Sequence, residues 1–273
     1  MEPPTEPKGQ IKFMTYNVWS REDVVVYKRM QAIGASVGYH KPDVIFFQEV
    51  TPYIRSIFES FSWWKDYQCS PVSPEQLATG QHFCLLMSKY PLTNFARWKF
   101  ANSPAGRSYP DCDATKPIRI ATTELELATP PAPMWCLERY AQAEHAVTSL
   151  NRAENVVFGG DMCWRDDTDR PFPLLAGWID AWSMRFPRDN SWTYDGLWNE
   201  EVVSCNGFSR NLSLSLKNRS DRFVCKLKDY QLESIELIGD KSLGFVYYKP
   251  LYDGIDLSPS CHRGLIMTVV LIK

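Results

Sequence analysis

The segment from Val156 to Trp164 limits what the chain can fold into more than any other stretch. Three apolar residues, two of them β-branched, lead into Gly159, Gly160 and then Asp161. This run predicts a short buried strand whose end delivers an aspartate into a loop. A carboxylate at that position is a candidate metal ligand or general base, although an aspartate that follows glycine often only caps a turn.

Two earlier strands are predicted to end in the same way. Residues 11–16 form a strand pattern that runs into Asn17. The continuous apolar run 43–47 suits a strand buried on both faces, and it ends at Gln48 and Glu49. Glu49 is therefore either a second functional carboxylate or an exposed loop charge.

Helices are predicted between these strands. Apolar residues at helical spacing begin near Asp23, which is a plausible cap, and recur from Cys136 to Leu150. Thr51 followed by Pro52 predicts the start of a further short helix. The stretch from Pro91 to Pro117 is predicted to be mostly loop.

That loop carries Arg107, and its simplest interpretation is a solvated surface charge. Residues 118–126 alternate like a strand and end in the carboxylates Glu124 and Glu126. Farther on, Tyr194 belongs to a turn with aromatic residues that serve either as core or as stacking platforms.

The last third supplies two more polar residues at strand termini. Asp221 begins a predicted strand, and His262 lies where a loop meets the final strand, 265–271. In layered sheets, ligands gather where strand ends face loops. Polar residues at several such ends therefore indicate one site in one α/β domain.

The residue types at these ends suit metal-assisted hydrolysis of a phosphodiester. Glu49 and Asp161 offer hard oxygen ligands for Mg²⁺, and Asn17 offers a neutral donor to an anionic oxygen. His262 could carry a proton or stabilise charge. Asp221 could hold the tautomer of that histidine.

Composition limits the class of protein. With 273 residues, 44% of them hydrophobic, the chain can form one large core, so we predict a disordered tail at 1–10 and a single domain at 11–273. A net charge of −2 excludes a globally basic nucleic-acid binder. The first residues lack a signal-peptide core and the longest apolar run is too short for a membrane span, which predicts a soluble, intracellular protein. The eight cysteines form no CxxC pair, which argues against a zinc finger.

Five short motifs carry a family resemblance that covers the chain from about Ile11 to its end. They are Thr15-Tyr16-Asn17, Phe47-Gln48-Glu49-Val50, Gly160-Asp161-Met162, Asp221-Arg222-Phe223 and Ser260-Cys261-His262. In order and spacing they resemble the motifs of the endonuclease/exonuclease/phosphatase superfamily. Within it the chain looks most like the plant 5′-tyrosyl-DNA phosphodiesterases.

The resemblance implies a four-layer α/β/β/α sandwich and hydrolysis of the bond that joins a trapped topoisomerase tyrosine to a DNA 5′-phosphate. It implies that Glu49 binds Mg²⁺, which Mn²⁺ can replace, and that Asp161 shares the metal and activates water. Asn17 and His262 are expected to stabilise the phosphate, and Asp221 to orient the histidine.

The same resemblance implies a monomer that acts in the nucleus, in DNA double-strand break repair, on single-stranded or end-frayed DNA with a 5′-tyrosyl adduct. It implies no membrane partner. Arg107 and Tyr194 match positions near the DNA groove, by looser alignment. No basic run resembling a nuclear localisation signal stands out.

Three residues depart from the family pattern at the expected site. Cys163 replaces an asparagine that donates to the phosphate, Cys261 replaces an aspartate, and Glu124 replaces a histidine and adds negative charge. Loss of one transition-state donor costs on the order of 10²–10³ in rate, so reduced activity is expected. Glu124 would repel an anionic substrate unless metal-bound or protonated.

Three alternatives follow from these departures. The chain could be a catalytically inactive paralogue that binds DNA ends or a protein. It could act on another phosphoester as a nuclease or phosphatase of the same superfamily. If the fold brought Cys163, Cys261 and His262 together, these softer ligands would favour Zn²⁺ over Mg²⁺.

Overall fold

The structure of the protein, a computed structural model, describes residues 9–78, 80–114, 118–127, 134–186, 191–195, 217–248 and 253–272. Of the tail predicted to be disordered, residues 1–8 lie outside the described residues. The first strand begins at Gln10, one residue earlier than predicted.

The regular elements of the described residues are as follows. In chain order, the strands are β1 (Gln10–Asn17), β2 (Val44–Val50), β3 (Gln68–Cys69), β4 (Phe83–Ser88), β5 (Leu92–Lys99), β6 (Ser108–Ala114), β7 (Ile118–Glu124), β8 (Asn155–Asp161), β9 (Trp178–Asp180), β10 (Tyr194–Asp195), β11 (Lys217–Asn218), β12 (Asp221–Leu227), β13 (Tyr230–Ile238), β14 (Phe245–Tyr248), β15 (Asp253–Asp256) and β16 (Gly264–Leu271). The α-helices are α1 (Val26–His40), α2 (Pro52–Glu59), α3 (Pro74–Ala78), α4 (Cys136–Leu150) and α5 (Ala181–Arg185), with a 3-10 helix at Ser62–Asp66.

Two six-stranded mixed sheets face each other. The first has the order β13-β16-β1-β2-β4-β3, and the second has the order β5-β6-β7-β8-β12-β9. Helices α1 and α2 cover the outer face of the first sheet, and α4 covers the outer face of the second. The predicted four-layer α/β/β/α sandwich is therefore confirmed. No helix in the described part of the chain is long and apolar enough to cross a membrane.

The core between the two sheets holds them in register. Phe13, Phe46 and Phe223 meet there with ring centroids 6.1 to 6.4 Å apart, so that β1 and β2 pack directly on β12. All three rings are at most 1% exposed. Aromatic pairs at this spacing contribute beyond the area that they bury, and they fix how the sheets align.

The polar strand ends meet at one edge of the sandwich. β7 and β8 run parallel, which sets Glu124 opposite Asp161. β12 runs antiparallel to β8, so Asp221 at its start also lies opposite Asp161. In the first sheet, Thr15 near the end of β1 pairs with Leu265 near the start of β16. Strands β1, β7 and β8 thus contribute their carboxyl ends to this edge, whereas the strands antiparallel to them, β12 and β16, contribute their first residues.

Several predicted elements are confirmed at their predicted bounds. The helix Cys136–Leu150 is α4. Thr51 caps α2, because its hydroxyl oxygen accepts a hydrogen bond from the Ile54 amide, with Pro52 in the first turn.

Two predictions about local structure are wrong. The stretch 91–117 is not mostly loop, because it contains the hairpin β5–β6. The strand β5 lies at a sheet edge and is mostly half-exposed, so it lacks the alternation that marks a strand. Asp23 does not cap α1, which begins after Val25 with no side-chain cap. The Asp23 carboxylate instead accepts hydrogen bonds from Arg21.

Gly160 allows the end of β8 to lie close against β7. Its φ is 152°, and a Cβ built there would lie 2.2 Å from the carbonyl oxygen of Thr123 in β7. We expect Gly160→Ala to lower the free energy of unfolding by about 3 kcal/mol or more, because backbone must move aside. Urea unfolding monitored by tryptophan fluorescence measures this change.

The matched control is Gly38→Ala in α1, where a Cβ meets nothing within 4 Å. That change should leave stability unchanged or raise it by up to about 1 kcal/mol, because alanine favours helix. Equal effects of the two substitutions would contradict the close approach of β7 and β8.

Candidate active site

Asn17 connects the two sheets at the edge where the polar residues gather. Its Nδ2 donates to Glu49 Oε1 and to Asp161 Oδ2, each at 2.9 Å. Its Oδ1 accepts from the Trp19 amide at 2.9 Å, which fixes the orientation of the side chain. One buried amide group therefore holds together a carboxylate from β2 and a carboxylate from β8.

Glu49 is held in a strained backbone conformation. Its φ is 57°, in the left-handed region that residues other than glycine rarely adopt. Its Oε2 accepts hydrogen bonds from both the amide and the hydroxyl of Ser20, at 2.8 and 2.7 Å. Burial by itself would raise the pKa of Glu49, but the charge of His82 and these hydrogen bonds outweigh it and lower that pKa. Strain of this kind concentrates at functional sites.

Asp161 accepts donors on both carboxylate oxygens. Besides the contact with Asn17, its Oδ1 accepts from the Ser220 hydroxyl at 2.5 Å and from the Cys163 amide at 2.8 Å. Burial opposes ionisation of this carboxyl, yet the charge of His262 and these hydrogen bonds lower the pKa of Asp161. The side chain is therefore an anion at neutral pH.

His262 and Asp221 form a buried ion pair. His262 Nδ1 donates to Asp221 Oδ2 at 2.9 Å, whereas His262 Nε2 lies 3.7 Å from Asp161 Oδ2. Burial disfavours the imidazolium, but the charges of Asp221 and Asp161 outweigh it and raise the pKa of His262 to about 10. Burial raises the pKa of Asp221 to about 6, and His262 opposes that rise. At neutral pH the pair is imidazolium and carboxylate.

The loop around His262 is fixed by its neighbours. The Ser260 hydroxyl donates to the Asn17 carbonyl at 2.7 Å and accepts from the His262 amide at 3.1 Å. The ring of Tyr194 packs against the imidazole with centroids 4.8 Å apart. Tyr194 thus lies between His262 and the apolar cluster around Trp19 and Leu257.

Arg107 is not the solvated surface charge of its simplest interpretation. Its guanidinium pairs with Glu124, and its side chain is 14% exposed. His82 Nε2 lies 3.1 Å from Glu124 Oε2 and 3.1 Å from Arg107 Nη1. Glu124 is therefore paired with Arg107 and lies beside His82, two partners that the sequence did not indicate.

The cysteines at the site are buried and do not gather around a metal. Cys163 Sγ donates to the Leu125 carbonyl at 3.3 Å, and burial raises the pKa of this thiol well above its ordinary value. Cys261 packs in an apolar cluster with Trp19 and Leu257. A neutral thiol is a poor ligand for zinc. The structure does not support the Zn²⁺ hypothesis.

One group of side chains in the described residues could share an ion. Ligand atoms of Asp161, Asp221 and His262 lie within 4.8 Å of one another. A histidine must be neutral to bind a metal, whereas His262 is protonated and already bonded to Asp221. The second carboxylate joined through Asn17 is the better partner, so Glu49 and Asp161 offer two ionised, hard oxygen donors that fit Mg²⁺.

Sequence reasoning missed three side chains of the site. His82 directly precedes β4, Ser220 directly precedes β12, and Arg29 is fully buried in α1. Arg29 donates to the backbone carbonyls of five residues in the loops around the site: Val18, Trp19, Arg21, Val24 and Pro259. His82 and Ser220 could have been found by treating the starts of antiparallel strands as equal to the ends of parallel ones.

Comparison with known proteins identifies the family of the chain. The model of the Endonuclease/Exonuclease/phosphatase family matches residues 14–193. No curated protein sequence matches the chain.

Solved structures of similar fold cover nearly the whole chain. D. rerio TDP2 complexed with single strand DNA product has a TM-score of 0.74 at 18% identity, covering 95% of this chain and 98% of its own. Truncated Caenorhabditis elegans TDP2 has a TM-score of 0.71 at 19% identity, covering 96% and 97%. The human Nocturnin catalytic domain with bound sulfate has a TM-score of 0.64 at 15% identity, covering 97% and 94%. At these identities the likeness establishes the fold.

The His262–Asp221 pair gives a prediction about stability and pH. Because folding raises the pKa of His262 from 6.5 to about 10, its stabilising contribution is complete below about pH 6.5 and is lost as pH rises through 10. We expect the free energy of unfolding in EDTA to fall between pH 7 and pH 10 by on the order of a few kcal/mol more in the native chain than in His262→Gln. Parallel pH curves for the two proteins would contradict the raised pKa.

Proposed function

The chain belongs to the Endonuclease/Exonuclease/phosphatase family, and from that premise we propose that it is a Mg²⁺-dependent phosphodiesterase that hydrolyses the 5′-phosphotyrosyl bond of trapped topoisomerase–DNA adducts. One observation carries the proposal. Asn17 joins two ionised carboxylates from different sheets beside a buried histidine–aspartate pair. That combination fits phosphoester hydrolysis better than a purely structural role. Two ionised carboxylates placed close together repel each other, which disfavours the folded state and is expected at a functional site.

Glu49 and Asp161 would hold the metal. A bound Mg²⁺, or Mn²⁺ in its place, supplies positive charge to the phosphate oxygens and to the attacking water. The strained backbone of Glu49 and the hydrogen bonds from Ser20 hold its carboxylate in place before any substrate arrives. A preorganised ligand needs no rearrangement during the reaction.

His262 can serve as the proton donor to the leaving group. Its Nε2 lies 3.7 Å from Asp161, longer than a hydrogen bond, so the N–H retains donor capacity for an oxygen of the substrate. With a pKa of about 10, the imidazolium matches the phenol of a tyrosine leaving group, whose ordinary pKa is also about 10. Asp221 accepts a hydrogen bond from Nδ1–H and stabilises the imidazolium, so that Nε2 also carries a proton that it can donate.

Asp161 can orient the attacking water. Its pKa is lowered, so the carboxylate is ionised and accepts hydrogen bonds throughout the physiological range. Ser220 and the Cys163 amide fix one of its oxygens. Asn17 donates its two N–H groups to Asp161 and Glu49, so it would have to release one of them to stabilise the phosphate.

DNA is the proposed partner, in single-stranded or end-frayed form. The fold shared with a TDP2 complexed with single strand DNA product supports this choice. The ring of Tyr194 beside His262 suits stacking on a base or on the tyrosyl group. A role in double-strand break repair would place the protein in the nucleus, acting as a monomer.

A second candidate function rests on Cys163. Where the family carries an amide donor, this thiol donates to the Leu125 carbonyl. Such a site could bind a DNA end without cleaving it, and the chain would then be an inactive paralogue. A further alternative is that the chain is an active hydrolase of the same family whose substrate is a different phosphoester.

Single-turnover cleavage of a 5′-phosphotyrosyl oligonucleotide with Mg²⁺ tests the proposal. The native protein should release tyrosine, and Glu49→Gln should lower the rate by about 10³ or more, because a metal ligand and its charge are lost. The matched control is Glu126→Gln, which changes a buried glutamate that bonds to Ser103 and Gln142 instead. Equal cleavage by all three proteins, or none by any, would contradict the proposal.

Cys163→Asn generates a further prediction. We expect the rate to rise by up to about 10²–10³, because an amide donor would reach the phosphate. Asparagine also tolerates the left-handed φ of 48° better than cysteine does. Cys163→Ala is the control, since it removes the thiol without adding an amide. Equal rates for Cys163→Asn and Cys163→Ala would contradict the idea that the missing amide donor limits the rate.

A further inference from the structure

Three side chains form a charge cluster beside the proposed metal ligands. Glu124, at the end of β7, is 5% exposed. The guanidinium of Arg107 pairs with its Oε1, and His82 Nε2 lies 3.1 Å from its Oε2. We call Glu124, Arg107 and His82 the Glu124 cluster. Arg107 and His82 thus contact both oxygens of the carboxylate.

The Glu124 cluster lies next to the site in the sheet, and charges of the cluster and of the site affect each other. Glu124 is directly opposite Asp161 in the parallel pair β7–β8. The charge of His82 lowers the pKa of Glu49, and the charge of Glu49 in turn raises the pKa of His82 against the effect of burial. A phosphate bound to a cation that Glu49 and Asp161 would hold is therefore within electrostatic reach of the Glu124 cluster.

Hydrogen bonds hold the backbone of Arg107 in place. The Arg107 amide donates to the Ser103 hydroxyl at 2.7 Å, and the Arg107 carbonyl accepts from the Phe100 amide at 3.0 Å. Although burial disfavours a charged guanidinium, Glu124 outweighs it and raises the pKa of Arg107. A substrate phosphate could recruit Arg107 only by leaving a buried carboxylate without its partner, which is costly.

We propose that Glu124 is a specificity-determining residue: an internal anion that neutralises Arg107 and so makes the site favour singly charged phosphodiesters over doubly charged terminal phosphates. This inference rests on the proposed function, in which the substrate is a phosphodiester and the product a 5′-phosphate. A terminal phosphate carries more charge than the diester, so it gains more from free cations and loses more when they are neutralised. Glu124 therefore disfavours product over substrate and speeds release of the 5′-phosphate.

The test compares the binding of two single-stranded oligonucleotides of identical sequence, one with a 5′-phosphate and one with a 5′-hydroxyl. Fluorescence anisotropy in EDTA gives both dissociation constants without any turnover. Glu124→Gln should tighten binding of the 5′-phosphate oligonucleotide by roughly tenfold and leave the 5′-hydroxyl oligonucleotide unchanged. A merely structural role for Glu124 would shift both constants together or neither.

Two controls isolate the charge. Glu126→Gln removes a neighbouring buried carboxylate that does not contact Arg107, and it should change neither constant. The double variant Arg107→Gln/Glu124→Gln removes the pair together and should lose the gained affinity. Should Glu124→Gln fail to fold, Glu124→His removes the same carboxylate and should show the same preference for the 5′-phosphate.

Unchanged or weaker binding of the 5′-phosphate oligonucleotide by a folded Glu124 variant would overturn the inference. The outcome is separate from that of the proposed function. Selective tightening without any cleavage of a phosphotyrosyl substrate would leave the inference standing and the proposed function refuted. Cleavage without selective tightening would do the reverse.

Discussion

The site depends on the two hydrogen bonds that Asn17 donates, one to Glu49 and one to Asp161. Each carboxylate comes from a different sheet, and two buried anions do not approach each other without compensation. The amide supplies part of that compensation, and it can do so because the aromatic core between the sheets aligns β1 with β8. The packing of the two sheets therefore fixes the positions of these two carboxylates.

Charge at the site is balanced locally rather than by the protein as a whole. The net charge of the chain is −2, yet the site gathers four buried or half-buried carboxylates, one arginine and two histidines within a few strand ends. His262 balances Asp161 and Asp221, and Arg107 with His82 balances Glu124. Glu124, which departs from the family pattern and adds negative charge, thus contacts Arg107 and His82, two partners that the sequence did not link to it.

Strand ends were predictable from the sequence, but contacts between side chains were not. An apolar run that stops at a polar residue predicts a buried strand, which placed Asn17, Glu49 and Asp161 at one edge of an α/β sandwich. Nothing in that pattern shows that Arg107, on a hairpin mistaken for loop, reaches Glu124. The first strand of the hairpin, β5, was missed because an edge strand without a buried face shows no alternation.

Binding of Mn²⁺ measured by isothermal titration calorimetry tests the central claim most directly, namely that Glu49 and Asp161 form one divalent cation site held together by Asn17. The native chain should bind about one ion per molecule, Glu49→Gln should lose that binding, and Cys163→Ala should retain it, because the thiol bonds to a carbonyl away from the ligands. Native and Glu49→Gln proteins that bound Mn²⁺ equally, or a native protein that bound none, would contradict the account.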